Sequence, residues 1–280
     1  MQFNFADFII INQVGRGTYG KVYKAKTLAG HTVAIKSIDI DSDTLQLYTM
    51  REIKILSDLS HPNIPKCFGQ IQSPEHPDLI HIVMEFVSGQ ELFQYTQHNR
   101  MSNGIMAQIM LQISDALMYC HSKNVMHRDV KMENIMYKSG HAKLIDFGFA
   151  RHFETPLTPT CYGICGTVEY HAYELVCAQP YDERIDIWAL GVVYYELLTN
   201  KYPFAGDNDY ETCKMIKSSD LDMSRLATNI HCKDIWEIIT NMIHRDRDKR
   251  MSLETACKHF NSLLQKIENP PLELERTVIL

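Results

Sequence analysis

The segment HRDVKMEN, residues 127–134, gathers His127, Arg128, Asp129, Lys131 and Glu133 beside two apolar stretches, QIMLQISDALMYC and LIDFGFA. A solvated loop would account for the charges alone. The next residues along the chain suggest more. NIMY and HAKLI flank KSG, the pattern of a hairpin turning at Ser139-Gly140. An antiparallel hairpin brings its two ends together. Asn134 is therefore expected beside Asp146, with Asp129 a few residues upstream. Mg²⁺ prefers a few hard protein oxygens plus substrate phosphates, and Asn134 and Asp146 supply such oxygens. Asp129 is then left to face a substrate hydroxyl. The chemistry these spacings suit is that of a metal–phosphate site.

Two further groups could serve it. VGRGTYGKV places Gly15, Gly17 and Gly20 at GxGxxG spacing. A dinucleotide fingerprint needs a helix next, but KVYKAKT alternates like a strand. A Walker A loop needs Ser or Thr where Val22 stands. What remains is strand, glycine turn, strand, a hairpin whose backbone can lie close against phosphates. In VAIKSI, Lys36 shares a strand face with Ala34 and Ile38. In TLQLYTMREIKILSDL, Glu52 lies on a helical stripe with Leu45, Tyr48, Leu56 and Leu59. A cation and a carboxylate on buried faces need partners, and pairing with each other is the economical solution. Snorkelling at the lobe edges is the alternative.

These groups must be positioned by a fold. Residues 8–87 read as strand-rich with one helix at residues 44–59. From residue 91 the spacing turns helical: Ile105, Ile109, Ile113, Leu117 and Cys120 repeat along one face. RIDIWALGVVYYELLT is apolar nearly all round, which predicts a helix buried inside its domain. The expectation is α+β: a small strand-rich lobe, then a larger helical one. The chain has 280 residues, 45% hydrophobic and 22% charged, as globular domains do. Its net charge of −6 gives no electrostatic reason to expect nucleic acid or an anionic membrane as partner. Eight scattered cysteines without a CxxC pair suit a reducing compartment, cytoplasmic or nuclear. MQFNFADFII lacks the basic start of a secretory signal, IDIWALGVVYYELL is too short to span a bilayer, and TVIL carries no lipidation cysteine.

The motifs GRGTYGKV, VAIK, a helical Glu52, HRD with Asn134, DFG and DIWALG occur in the order of the eukaryotic protein kinases, which this chain resembles over residues 8–260. The resemblance implies the two-lobed protein-kinase fold, with an N-lobe over about residues 8–86, a hinge at 85–90, a C-lobe over 91–260 and a tail at 261–280. It implies ATP and Mg²⁺. The loop from Val14 to Val22, including Gly15, Gly17 and Gly20, would cover ATP. Val22, Ala34 and Met136 would sandwich the adenine, and Glu85 and Val87 would offer it backbone groups, with Met84 behind. Lys36 would contact the α/β-phosphates and pair with Glu52. Asp129 would be the base, and Asn134 and Asp146 the metal ligands. Lys131 resembles the Ser/Thr-kinase pattern, supported by Thr167, and Asp186 would brace the catalytic-loop backbone.

Similarity is nearest to calmodulin-dependent-kinase-like and Aurora-like enzymes. Ala172-Tyr173-Glu174 stands for the family's Ala-Pro-Glu; Glu174 can still pair with Arg250, while Tyr173 puts the local turn in doubt. The implied activity is phosphoryl transfer to Ser/Thr of protein substrates by a monomer. A pseudokinase scaffold is the alternative, and loss of Lys36, Asp129 or Asp146 would favour it; none is lost. Glu91, Glu133 and Glu196 match positions that bind substrate arginines in basophilic kinases, although Glu91 could instead touch the ATP ribose. Arg128 is of the type that binds a phosphorylated activation-segment residue. In many relatives that threonine lies three residues before the glycine of CGT, where this chain has Gly163. Either a shifted site among Thr158, Thr160 and Tyr162 or activity without a loop phosphate is expected.

Overall fold

The computed structural model describes residues 4–17, 19–73, 76–153, 163, 166–222, 224 and 232–269. Alternating residues build the first lobe. Strands β1 (Phe8–Gly17), β2 (Gly20–Thr27), β3 (Thr32–Asp39), β4 (Cys67–Ser73) and β5 (His76–Glu85) form one antiparallel sheet in the order β1-β2-β3-β5-β4. Val33 and Ile35 of β3 pack on one face with Phe8, Ala25, Ile71 and Val83. On the other face Ile38, Ile80 and Ile82 meet Ile53 of helix α1 (Asp43–Asp58). The period of two in β3 therefore puts Lys36 on the α1 side with Ile38. Ser42 starts α1 by accepting the Leu45 N–H at 3.3 Å.

The second lobe contains β6 (Gln90–Glu91), α2 (Leu92–His98), α3 (Asn103–Ser122), β7 (Val125–Met126), β8 (Ile135–Lys138), β9 (His141–Leu144) and β10 (Arg151–His152). Helices α4 (Tyr173–Val176), α5 (Arg184–Thr199), α6 (Asp209–Ser218), α7 (Cys232–Met242) and α8 (Leu253–Glu268) come after them. The expected hairpin is β8–β9, with Ile135 opposite Leu144 and Lys138 opposite His141. Ser139 and Gly140 both have positive φ, 48° and 87°, which is the mirror-image turn that suits twisted strands. Every residue of α5 from Ile185 to Glu196 is buried, so this helix is a central post rather than a surface one. Helix α8 runs beyond residue 260 and buries Leu263. Pro270-Pro271 and the rest of the chain to residue 280 lie outside the described residues.

The lobes share a seam. Ile55, Leu56, Leu59 and Ile64 from the first pack with Ala116, Cys120, Val125, Phe147 and Ala150 from the second. Asn63, between α1 and β4, donates its amide to the Ala142 carbonyl at 2.7 Å and to Gln112 Oε1 at 3.0 Å. The Leu144 N–H returns to the Asn63 carbonyl at 2.8 Å. Lys143 reaches the Glu85 carboxylate at the end of β5, 2.9 Å away. Among the described residues, no helix is long and apolar enough to cross a membrane.

Candidate active site

The site lies where the β1–β2 hairpin, β3, α1 and the segments flanking β8–β9 converge. Lys36 Nζ stands 2.6 Å from Glu52 Oε1 and 3.0 Å from Asp146 Oδ1, with Lys36 and Glu52 side chains 5% and 3% exposed. Burial pulls the Lys36 pKa down, but the two carboxylates outweigh it and hold the ammonium above its ordinary range. Burial pushes the Asp146 carboxyl up; Lys36, the Gly148 N–H and His127 together keep it below the usual carboxylate value. Asp146 has φ 58°, an unfavoured backbone that turns its carboxylate back toward Lys36. Gly148 lies close beside it: a Cβ there would stand 3.2 Å from Asp146 Oδ1 and 3.6 Å from Lys36 Nζ. Phe147, between them, fills the inter-lobe seam and meets His127 edge-on.

The catalytic-loop geometry is held from below by α5. Asp186 accepts the backbone N–H groups of His127 and Arg128, both at 2.8 Å, and lies 2.9 Å from His121 Nε2. Burial raises its carboxyl, but the His121 hydrogen bond and these partners hold it below the ordinary value. His127 donates from Nε2 to the Ile145 carbonyl at 3.0 Å, tying the loop to the segment before Asp146. Asp129 is buried, and its Oδ2 receives Lys131 Nζ at 3.0 Å and the Asn134 amide at 2.7 Å. The same amide reaches the Asp129 carbonyl at 2.8 Å. Asn134 Nδ2 is thus committed, which leaves its side-chain oxygen as the group to offer a ligand. The Ile145 N–H meets the Asn134 main-chain carbonyl at 2.8 Å, so the hairpin does bring Asn134 next to Asp146. Among the described residues, no cluster of three His, Cys, Asp or Glu could hold a metal alone. Mg²⁺ here would rely on Asn134, Asp146 and phosphate oxygens, a donor set that suits it.

The glycine hairpin covers this arrangement. Gly17 pairs with Gly20, and a Cβ on Gly17 would lie 3.8 Å from both Asp146 Oδ2 and Lys36 Cε. Tyr19 packs edge-on against Phe149, with ring centres 5.6 Å apart, and tilts toward Tyr48 of α1. Gly15 pairs with Val22; Ala34 is buried, Val22, Met136 and Val87 are half-buried, and Val14 is exposed. Thr18 lies outside the described residues.

Toward the other side of Asp129, Gly166 takes φ 91° and passes so close that a Cβ would stand 3.0 Å from Asp129 Oδ1. Thr167 accepts from Lys131 Nζ at 3.4 Å. Next along the chain, the Tyr170 hydroxyl donates to Glu196 at 2.5 Å. Burial, then Glu133 and Glu169, push the Glu196 carboxyl up to about 7. Glu91 accepts from Gln94 at 2.9 Å, and burial together with Glu133 raises it too. The acidic residues singled out in the sequence therefore form one mutually repelling group. Glu174 and Arg250 make a buried two-bond pair at 2.8 and 2.9 Å. Tyr173 does not spoil the turn: it opens α4 after an extended Ala172.

Arg128 forms no ion pair among the described residues. Its guanidinium lies 5.6 Å from the centre of the Tyr181 ring, and Nη1 is 3.5 Å from the Phe149 carbonyl. Thr158, Thr160 and Tyr162 lie outside the described residues. Sequence reasoning did not single out His121, Lys143 or Tyr181; the close approach of Gly166 to Asp129 was hinted at only by its glycine.

Comparison with known proteins agrees with the geometry. Residues 8–260 match the family described as protein kinase domain. Aurora kinase C of Mus musculus is 32% identical over 263 residues, covering 92% of each chain. Aurora kinase of Schizosaccharomyces pombe is 32% identical over 92% of this chain and 72% of its own. The cAMP-dependent protein kinase type 3 of Saccharomyces cerevisiae is 31% identical over 89% of this chain and 62% of its own.

Proposed function

This chain belongs to the protein kinase family and is a Ser/Thr kinase of Aurora-like type, and from that premise we propose which residues carry the reaction and which substrates they favour. Lys36, pre-set by Glu52, contacts the nucleotide's α/β-phosphates, and the Val14–Val22 hairpin covers them. Val22, Ala34 and Met136 enclose the adenine, with Glu85 and Val87 offering backbone groups. Asn134 and Asp146 hold Mg²⁺, which when bound neutralises charge on the phosphates. Asp129 is the base. Its Oδ2 is committed to Lys131 and Asn134, so Oδ1 takes the proton of the acceptor hydroxyl as that oxygen attacks phosphorus and ADP leaves. Lys131 balances charge on the transferred group. The observation that carries this reading is the convergence of Lys36 and Asp146 with the doubly held Asp129. The loose transition state needs positioning and electrostatics more than covalent help.

The acceptors are proteins bearing arginine or lysine before the Ser/Thr. Glu91, Glu133 and Glu196 support this, since a crowded acidic group gains most from a cation. A scaffold without catalysis finds less support, because each group such a loss would remove is present and engaged. The kinase acts as a monomer in the cytoplasm or nucleus.

Asp129→Asn tests the assignment. ATP binding should persist while peptide phosphorylation falls by about 10²–10⁴-fold, the usual worth of a general base. Near-parental turnover would remove Asp129 from that role.

A further inference from the structure

Tyr181 sits in the loop between α4 and α5, only 2% exposed. Its hydroxyl donates to the Gly163 carbonyl at 3.1 Å. Its ring carries the Arg128 guanidinium, 5.6 Å from the ring centre. One side chain thus links the residue before Asp129 to the segment that leads to Gly166 and Thr167. Both ends matter to Asp129. The Arg128 N–H is fixed by Asp186 at 2.8 Å. Three residues after Gly163, Gly166 lies against Asp129 Oδ1, and Thr167 receives Lys131.

Gly163 itself fits this anchor. Its φ is 103°, a region that disfavours any side chain, and among the described residues no atom lies within 4 Å of where a Cβ would stand. A threonine, phosphorylated or not, would be strained in this backbone. Among the described residues, Arg128 forms no ion pair, and its buried Nε has no hydrogen-bond partner. The cation is met instead by the face of a buried aromatic ring, where such contacts are strongest.

We propose that Tyr181 is a positioning residue: its ring on Arg128 and its hydroxyl on Gly163 hold the segment beside Asp129, so that peptide phosphorylation proceeds without a phosphate on residues 154–165. The link is made by the chain's own side chains, where a loop phosphate would be added and removable. It acts on the side of Asp129 that receives the peptide, and leaves the Lys36–Asp146 side untouched.

The test uses the full chain treated with phosphatase. The dephosphorylated enzyme should phosphorylate a Ser/Thr peptide within two-fold of the untreated rate. Tyr181→Phe keeps the ring and loses the hydroxyl. One net hydrogen bond lost from a positioning equilibrium predicts about a five-fold fall in kcat/KM for the peptide. The KM for ATP and hydrolysis of ATP without peptide should stay within two-fold, which a general loss of folding would not allow. Tyr181→Leu, which also removes the ring, should fall further. Loss beyond two-fold on dephosphorylation overturns the proposal, as does Tyr181→Phe within two-fold of the parent on peptide, or an equal fall in ATP hydrolysis. A parent inactive on every peptide would speak against the kinase assignment instead. Hydrogen exchange then still reads the anchor: faster exchange around Gly163 in Tyr181→Phe supports it, and unchanged exchange overturns it.

Discussion

Glu196 titrates near 7 because it is buried among Glu133 and Glu169. An arginine entering this group needs the carboxylate ionised, so binding expels a proton and affinity must weaken as pH falls. The ionised fraction is about nine-tenths one pH unit above 7 and about one-tenth one unit below it. The dissociation constant of an arginine-bearing peptide should therefore rise about ten-fold across that interval, or about 1.4 kcal/mol. The assay is calorimetric binding of a peptide whose acceptor serine is alanine, compared with its citrulline-substituted twin. The ratio of the two removes any pH effect common to the whole cleft. Glu196→Gln should flatten the ratio and weaken the arginine peptide at high pH. Stability has its own sign. A folded pKa of about 7 against an ordinary 4.5 means the folded state holds the extra proton between those values, so Glu196 makes folding weaker as pH rises through them. A peptide ratio that does not move with pH, in a protein that still prefers arginine, would refute the role given to Glu196.

Lys36→Met removes the cation from Glu52 and Asp146 at once. Phosphate positioning should fail, with kcat down about 10²–10³-fold by single-turnover assay, the scale of losing one preorganised donor. Asp146 should also lose its depressed pKa, visible by NMR titration. Arg250→Met leaves the buried Glu174 charged and without its partner, and should cost about 3–5 kcal/mol in chemical denaturation. Adding Glu174→Gln should recover a large part of that loss. A single mutant as stable as the parent would show the pair to be structurally idle.

Much of this site could be read from the chain because its chemistry is local. Asn134 and Asp146 are joined by a short hairpin, and Ser139-Gly140 announces its turn. Lys36 and Glu52 could be paired because each lies on an apolar face with a period of its own. What stayed hidden depends on contacts between distant segments. His121 on α3 reaches Asp186 on α5, and Lys143 reaches Glu85 across the lobes. No periodicity announces either. Tyr181 was equally silent, since a tyrosine in a loop between two helices has many ordinary uses. The second partner of Lys36, Asp146, was missed for another reason. Both lysine and Asp146 were assigned to a ligand, although without one they satisfy each other.

Asn63 and Glu85 pin the two lobes together at two points, through Ala142, Gln112 and Lys143. Two fixed points define an axis, and a body turning about an axis moves in proportion to its distance from it. Glu85 stands opposite Val33 in the sheet, while Lys21, next to the glycine turn, stands opposite Ser37. Four residues of β3 separate those positions, a span of about 13 Å at ordinary strand rise. The glycine tip is thus the end of a lever whose fulcrum is the seam. A small rotation at Asn63 would become a larger displacement of the glycine tip above Asp146. Loosening Asn63 or Lys143 would then be felt most at the glycine tip, far from either side chain.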